Sequence, residues 1–212
     1  MKRLAILGAS GHGKVVGDAA ALSGWEIIAF FDDEWPRVAA VGPWAMLGGT
    51  SELLRASGQY EGVVVAIGNN AVRLQRQREL AKHQLPFVSI VHPAATVSRL
   101  ARVGPGSVIF AGAVLNPFAE IGAACIINTC ASVDHDCLLA DGVHVSPGAH
   151  LGGGVQIGEG SWVGIGAAVK HGLRLGNGVT VGAGAAVLRD VGDGLTVVGV
   201  PAAEVVRLSA RR

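Results

Sequence analysis

At 212 residues, half of them apolar, the chain can bury one sizeable core or two small ones. Its 17 Lys and Arg nearly cancel 16 Asp and Glu, which excludes a basic field that would draw nucleic acid or anionic lipid non-specifically. Three cysteines, Cys125, Cys130 and Cys137, form no CxxC pair and no even set, which fits a reducing, cytoplasmic setting better than a disulfide framework.

The amino-terminal stretch "MKRLAILGAS" has a basic start, but its apolar run meets glycine after four residues. It is too short for a signal peptide or a membrane span and reads as a first β-strand. "GASGHGK" then reads as a glycine turn, "VVGDAAALSG" as a helix ending at Gly24, and "EIIAFFDD" as a strand with acids at its carboxyl end. "SELLRAS" is helical, "GVVVAIGNN" is a third strand, and "AVRLQRQRELAKH" is a charged amphipathic helix. Alternating strands and helices predict a small parallel α/β sheet, with ligands beyond the carboxyl ends of its strands.

The loop "GASGHGKV" lacks the dinucleotide spacing GxGxxG, because its glycines are Gly8, Gly11 and Gly13. It follows the phosphate-loop spacing to Lys14, yet Val15 stands where a magnesium-binding hydroxyl is required. Backbone N–H groups at a glycine-rich helix start still favour a phosphate. A turn required only by strand-to-helix geometry is the plainer reading.

From Val97 to Val187 every sixth residue is aliphatic, sixteen positions without exception. Four residues after most of them comes a small one, such as Ala113, Cys125, Ala131, Cys137, Ala149 or Ala167. Neither a helix (period 3.6) nor a flat strand (period 2) gives this pattern; a hexapeptide period marks a parallel β-helix. Three hexads close one 18-residue coil, so about five coils, roughly 4.8 Å apart, are expected. The aliphatic and small residues are then simply core. The 32 glycines supply the corners.

Hexads such as "IGEGSW" and "VGAGAA" resemble the left-handed β-helix acyltransferases. The order "LGASGHGKVV", "FFDD", "AIGNN" and then hexapeptides is similar, over essentially the whole chain, to the sialic-acid O-acetyltransferase family and its relatives, the N-acetyltransferases of nucleotide-linked 4-amino-deoxysugars. The resemblance implies a Rossmann-like nucleotide-sugar-binding domain over residues 1–92 and a left-handed β-helix acyltransferase domain over 93–212. It also implies acetyl-CoA as co-substrate, no metal, and a homotrimer with CoA grooves between neighbouring β-helices. Ser10, Gly11, His12 and Gly13 would face the diphosphate, Asp32 and Asp33 the base or ribose, with Asn69 nearby.

His135, in "INTCASVDHDC", falls two residues after an inward Val133, near a corner and facing out, between Asp134 and Asp136. Flanking acids hold an imidazole in one tautomer and raise its basicity, although a solvated histidine is the plain alternative. With an 18-residue coil, His135 stacks beneath Gly153 and then His171, which predicts a ligand slot above it. The family motif implies His135 as general base, with Asp136 as its partner where more familiar relatives carry Glu. By the same resemblance His144, Gly153, Lys170, Gly199 and Pro201 would contact acetyl-CoA, with Ala203 standing where many relatives have Lys or Arg. Rival readings are acetylation of a sugar hydroxyl, a zinc β-helix carbonic anhydrase using His135, His144 and His150, and a non-catalytic sugar-nucleotide-binding module.

Overall fold

The computed structural model describes residues 1–37 and 40–205; the last seven residues of the expected 93–212 domain lie outside the described residues. In the amino-terminal α/β region, β1 (Arg3–Leu7) lies between β2 (Ile27–Phe31) and β5 (Gly62–Val65), all parallel. Its helices are α1 (Gly11–Leu22), α2 (Thr50–Arg55) and α3 (Asn70–Ala81). Helix α1 begins at Gly11, so "GHGK" is its first turn rather than the loop expected from its glycines. A short antiparallel hairpin, β3 (Ala40–Val41) and β4 (Trp44–Ala45), lies between β2 and α2 and had no signal in the hydrophobic pattern.

The β1 to α1 turn explains which glycines are structural. At Gly8, with φ +113°, a β-carbon would meet the Ala66 carbonyl oxygen at 2.7 Å, and one at Gly13 would meet that of Gly8 at 2.2 Å. Only glycine allows these backbones to approach so closely. Gly11 has open space around it, so the fold does not require glycine there.

The rest is a parallel β-helix of about six turns with three faces. Its first face carries two-residue strands from Thr96–Val97 to Ala186–Val187, and its second those from Arg102–Val103 to Arg174–Leu175. The third face starts at β6 (Ile90–Val91), which pairs with Val108–Ile109, and runs to Thr196–Val198. Starting at Ile90 and continuing past Val187 gives one more turn than the hexad count. Each aliphatic of the hexad register is the second residue of a strand and faces inward; from Ile109 to Val187 all are at most 4% exposed. Small residues fill the tier between them: Ala113, Cys125, Ala131, Cys137, Ala149 and Ala167 are fully buried. Successive rungs pair 18 residues apart until Leu175 meets Val191 and Val181 meets Val197, where the turn shortens to 16.

Every sixth residue from Gly106 to Gly184 turns a corner with positive φ. Of these fourteen corners, ten are glycine and four are Phe118, Ala124, Cys130 and Asp136. A side chain in this left-handed conformation costs about 1–2 kcal/mol, which is why glycine predominates.

The α/β region sits on the third face. Ile90, Val108, Phe110 and Ile126 of that face share a core with Leu4, Ile6, Val16, Phe30 and Val64. Helix α3 docks against the corner between the second and third faces: Gln77 donates to Pro105 O at 2.8 Å, and Arg78 forms paired hydrogen bonds with Glu159.

Candidate active site

His135 occupies the corner between the first and second faces, the one opposite the face covered by the α/β region. Its Nδ1 is 2.7 Å from Asp136 Oδ2. A carboxylate only accepts, so Nδ1 carries a proton, and in the neutral imidazole Nε2 keeps its lone pair. Asp134 Oδ1 accepts from the His135 backbone N–H at 2.8 Å and from Asn116 Nδ2 at 2.7 Å, which holds the corner rigid. The hydrogen bond to Asp136, followed by the two nearby carboxylates, raises the His135 pKa above the ordinary 6.5, while the slight burial opposes it. Asp136 has φ +58° at a corner where glycine is the rule, so the chain tolerates backbone strain to keep a carboxylate beside the imidazole.

The stacking expected above His135 is present: a β-carbon on Gly153 would lie 2.5 Å from His135 Nε2. The space left by Gly153 is therefore taken by the imidazole itself, rather than standing open as a separate ligand slot. Lys170 is exposed two rungs above Asp134 on the same corner, beside His171.

His144 lies elsewhere, on the outward side of the third face. It accepts at Nε2 from Asn128 Nδ2 (3.1 Å) and stacks on Trp162, with centroids 5.9 Å apart and planes 11° from parallel. Burial first, then Arg73 and His12, pushes its pKa down to about 3. A cleft of about 510 Å³ lined by Gly68, Asn69, Asn70, His144, Trp162 and Thr180 separates the β5–α3 loop from this face. Asn69 and His144, expected on different substrates, thus line one cleft. Asn69 also caps α3, its Oδ1 accepting from Val72 N at 3.1 Å.

His12 does not point out of the glycine loop. Its ring sits edge-on to Phe110 at 5.7 Å, its Nε2 is buried without a partner, and burial, then Arg73, pushes its pKa down to about 4. A neutral, inward imidazole brings no charge to a phosphate. Ser10, which precedes α1, makes no side-chain capping bond, so with Gly11 it leaves the helix start open to an anion. Asp32 Oδ2 accepts from Ala9 N at 2.8 Å, and Asp33 Oδ1 from Thr50 N at 2.8 Å. Both acids therefore brace the loops around a small cleft of about 180 Å³ that they line with Gly8, Ile67, Val72 and Arg76. Arg76 bonds Asp33 Oδ2 at 3.2 Å and was not evident in the sequence. Gly199 and Pro201 are exposed beyond the last first-face strand, where Gly199 O accepts from Ala186 N. His135, His144 and His150 lie on a corner and two different faces, so one chain does not bring them together around a zinc ion.

Residues 3–80 match the PglD N-terminal domain, and residues 154–189 match the bacterial transferase hexapeptide (six repeats). The acetyltransferase domain of PglB from Neisseria gonorrhoeae FA1090 superposes with a TM-score of 0.91 at 42% identity, covering 97% of this chain and 100% of that one. A variant of perosamine N-acetyltransferase from Caulobacter crescentus, in complex with CoA and GDP-perosamine, gives 0.91 at 36% identity over 96% and 97%. This chain belongs to the nucleotide-linked amino-sugar N-acetyltransferase family. UDP-N-acetylbacillosamine N-acetyltransferase of Bacillus subtilis (strain 168) is 40% identical over 114 residues, a stretch spanning 52% of each protein. The PglB domain has also been solved with acetyl coenzyme A, at 43% identity and a TM-score of 0.92. In this N-acetyltransferase family member, the stretch that matches the PglD N-terminal domain precedes the one that matches the hexapeptide repeats.

Proposed function

We propose that the protein transfers an acetyl group from acetyl-CoA to the 4-amino group of a nucleotide-linked deoxysugar. The observation that carries this reading is the His135–Asp136 pair, a based and oriented imidazole with a free Nε2, on a chain whose relatives are amino-sugar N-acetyltransferases. The amine nitrogen attacks the thioester carbonyl carbon while His135 Nε2 takes the amine proton. The C–S bond then breaks and the CoA sulfur leaves, receiving that proton from the imidazolium. The Gly153 N–H has no hydrogen-bond acceptor among the described residues and lies beside the ring, so it suits the developing oxyanion. Ser10, Gly11, Asp32, Asp33 and Asn69 would hold the nucleotide, and Lys170, Gly199 and Pro201 would border the CoA.

In one chain the nucleotide side and His135 lie on opposite sides of the β-helix. This supports a trimer in which the His135 corner of one protomer faces the Asn69–His144 cleft of its neighbour. Acetyl-CoA and nucleotide sugars are cytoplasmic metabolites, so the reading also places the enzyme in the cytoplasm. Among the described residues, no helix is long and apolar enough to cross a membrane.

The test is free-thiol release from acetyl-CoA with GDP- and UDP-linked 4-amino-deoxysugars. His135→Ala should lower kcat roughly 10²- to 10⁴-fold with little change in KM. Near-wild-type kcat in that variant would remove His135 from the mechanism. Co-refolding inactive His135→Ala with an inactive Asp32→Ala/Asp33→Ala variant should restore part of the activity if each site uses two protomers. No restoration would assign both halves to one chain.

A further inference from the structure

Helix α3 reads as a charged surface helix, yet Arg73 is 1% exposed. Its guanidinium has five N–H groups, and all five are satisfied. Nε donates to Ala124 O at 2.8 Å, one terminal nitrogen donates to Ile67 O at 2.9 Å and Gly68 O at 3.1 Å, and the other to Asn70 Oδ1 and Gly142 O, both at 3.0 Å. Asn70 extends the network, its Nδ2 donating to Gly160 O and Ser161 O at 3.1 Å. Ala124, Gly142 and Gly160 are successive corners 18 residues apart, so the two side chains stitch the β5–α3 loop to three stacked coils.

No carboxylate pairs with Arg73 among the described residues, and every acceptor is a backbone or amide oxygen. A buried cation without a counter-charge is costly, and a fold that needed only adhesion here would be served by apolar contacts. The partners show what the group secures. Ile67, Gly68 and Asn70 flank Asn69 on one wall of the cleft, and Gly142 and Gly160 each lie two residues before His144 and Trp162 on the other.

We propose that Arg73 is a positioning residue for acyl transfer, fixing the loop that carries the nucleotide sugar at one distance from the coils that present His144 and Trp162. The inference rests on the reaction proposed above. A second consequence concerns charge: after burial, the Arg73 guanidinium is the next cause lowering the pKa of His144 and of His12. His12 is the other titratable group that lowers the His144 pKa, Asn128 bonds its ring and Trp162 stacks on it, and Asn69, Asn70 and Thr180 line the same cleft.

Arg73→Lys and Arg73→Met are compared with wild type for trimer mass, thermal unfolding, steady-state kinetics and NMR titration of the histidine side chains. Lysine keeps the charge but offers three donors on a flexible stem in place of a planar fork. Arg73→Lys should fold, lose about 10- to 100-fold in kcat, change KM for acetyl-CoA less, and leave the His144 titration near its wild-type position. Arg73→Met should show the same loss in kcat and a His144 titration moved to higher pH. A purely structural Arg73 would lower the unfolding temperature and leave the kcat of folded enzyme within twofold of wild type, which would overturn the proposal. Should both variants misfold, Asn70→Ala cuts the same network at its outer end and must show the kcat-selective loss, or the proposal fails. The His144 titration needs no turnover, so it is read independently of whether the acceptor is an amino sugar. Loss of activity in His135→Ala tests the reaction separately.

Discussion

The imidazole of His135 rests on the α-carbon of Gly153 one rung above, so close that a β-carbon there would stand 2.5 Å from Nε2 and 2.6 Å from Cε1. Gly153 is not at a positive-φ corner, so alanine is compatible with its backbone and only the histidine must move. Gly153→Ala should therefore fold with an unchanged unfolding temperature and lose at least ~10-fold in kcat, since about 1 Å of misplacement can cost ~10²-fold. Kinetics beside a melting curve check this; an unaffected kcat would mean that the ring position does not govern the reaction.

The pH profile follows from the direction of the His135 shift. Asp136 is the leading cause that raises its pKa above 6.5. The base form must be present, so kcat/KM should rise with pH through a pKa above 6.5 and level off beyond it. Asp136→Asn removes the carboxylate, so the rising limb should move to lower pH while the plateau falls. A limb that stays in place in this variant would show that another group titrates.

His12 and His144 shift the other way, to about 4 and about 3, both chiefly through burial. Above pH 6.5 each is neutral in folded and unfolded chains alike and contributes no pH dependence. Below it the unfolded chain takes up protons that the folded chain refuses, so stability should fall between about pH 6.5 and 3, with the His12 share lost by about pH 4, by up to about 1.4 kcal/mol per unit of pKa difference. Denaturant unfolding at a series of pH values measures this. His144→Gln should flatten the slope, because the amide does not titrate; an unchanged slope would remove His144 as its source.

Cys130 adopts φ +56° at an exposed corner, where ten of fourteen equivalent positions are glycine. Relief of left-handed strain, about 1–2 kcal/mol, exceeds the roughly 0.4–1 kcal/mol that glycine's extra freedom costs in the unfolded chain. Cys130→Gly should thus stabilise the protein by about 0.5–1 kcal/mol. Ala124→Gly is the control. Its methyl is fully buried and worth about 0.8 kcal/mol, which should cancel most of the gain. Equal unfolding temperatures for Cys130→Gly and wild type would contradict the strain argument.

The β-helix was readable because each turn repeats one decision: an inward aliphatic such as Val133 or Leu151, a small neighbour such as Ala131 or Ala149, and a corner. The His135 corner was readable for the same reason, since 18-residue stacking puts Gly153 above it. The far side of the site was harder to read. Arg73 stands in "RLQRQRE", where charge density suggests solvent, and only docking onto the coil corners buries it with Leu74, Gln77 and Leu80. Trp162 occupies an outward hexad position, and nothing in the period tells an exposed indole from one stacked on His144. Chain order alone puts His12 in the phosphate loop, whereas α1 starts early and turns the ring inward against Phe110. The shortened final turn has no aliphatic cue, since Val191 and Val197 leave the six-residue register by two.

That final turn determines where the rod stops. After Thr196–Val198, the chain reverses through Gly199, and Ala203–Glu204 runs antiparallel along the same edge, while Ala202 N donates back to Ala186 O. A stack of parallel rungs otherwise ends in a row of open amides and carbonyls, onto which another rod could add end to end. The reversed strand offers the wrong direction for another parallel rung, and Pro201 contributes no N–H. The same repetition that makes the rod easy to extend would make it a filament seed; the turn-back at Gly199 keeps each molecule a discrete length.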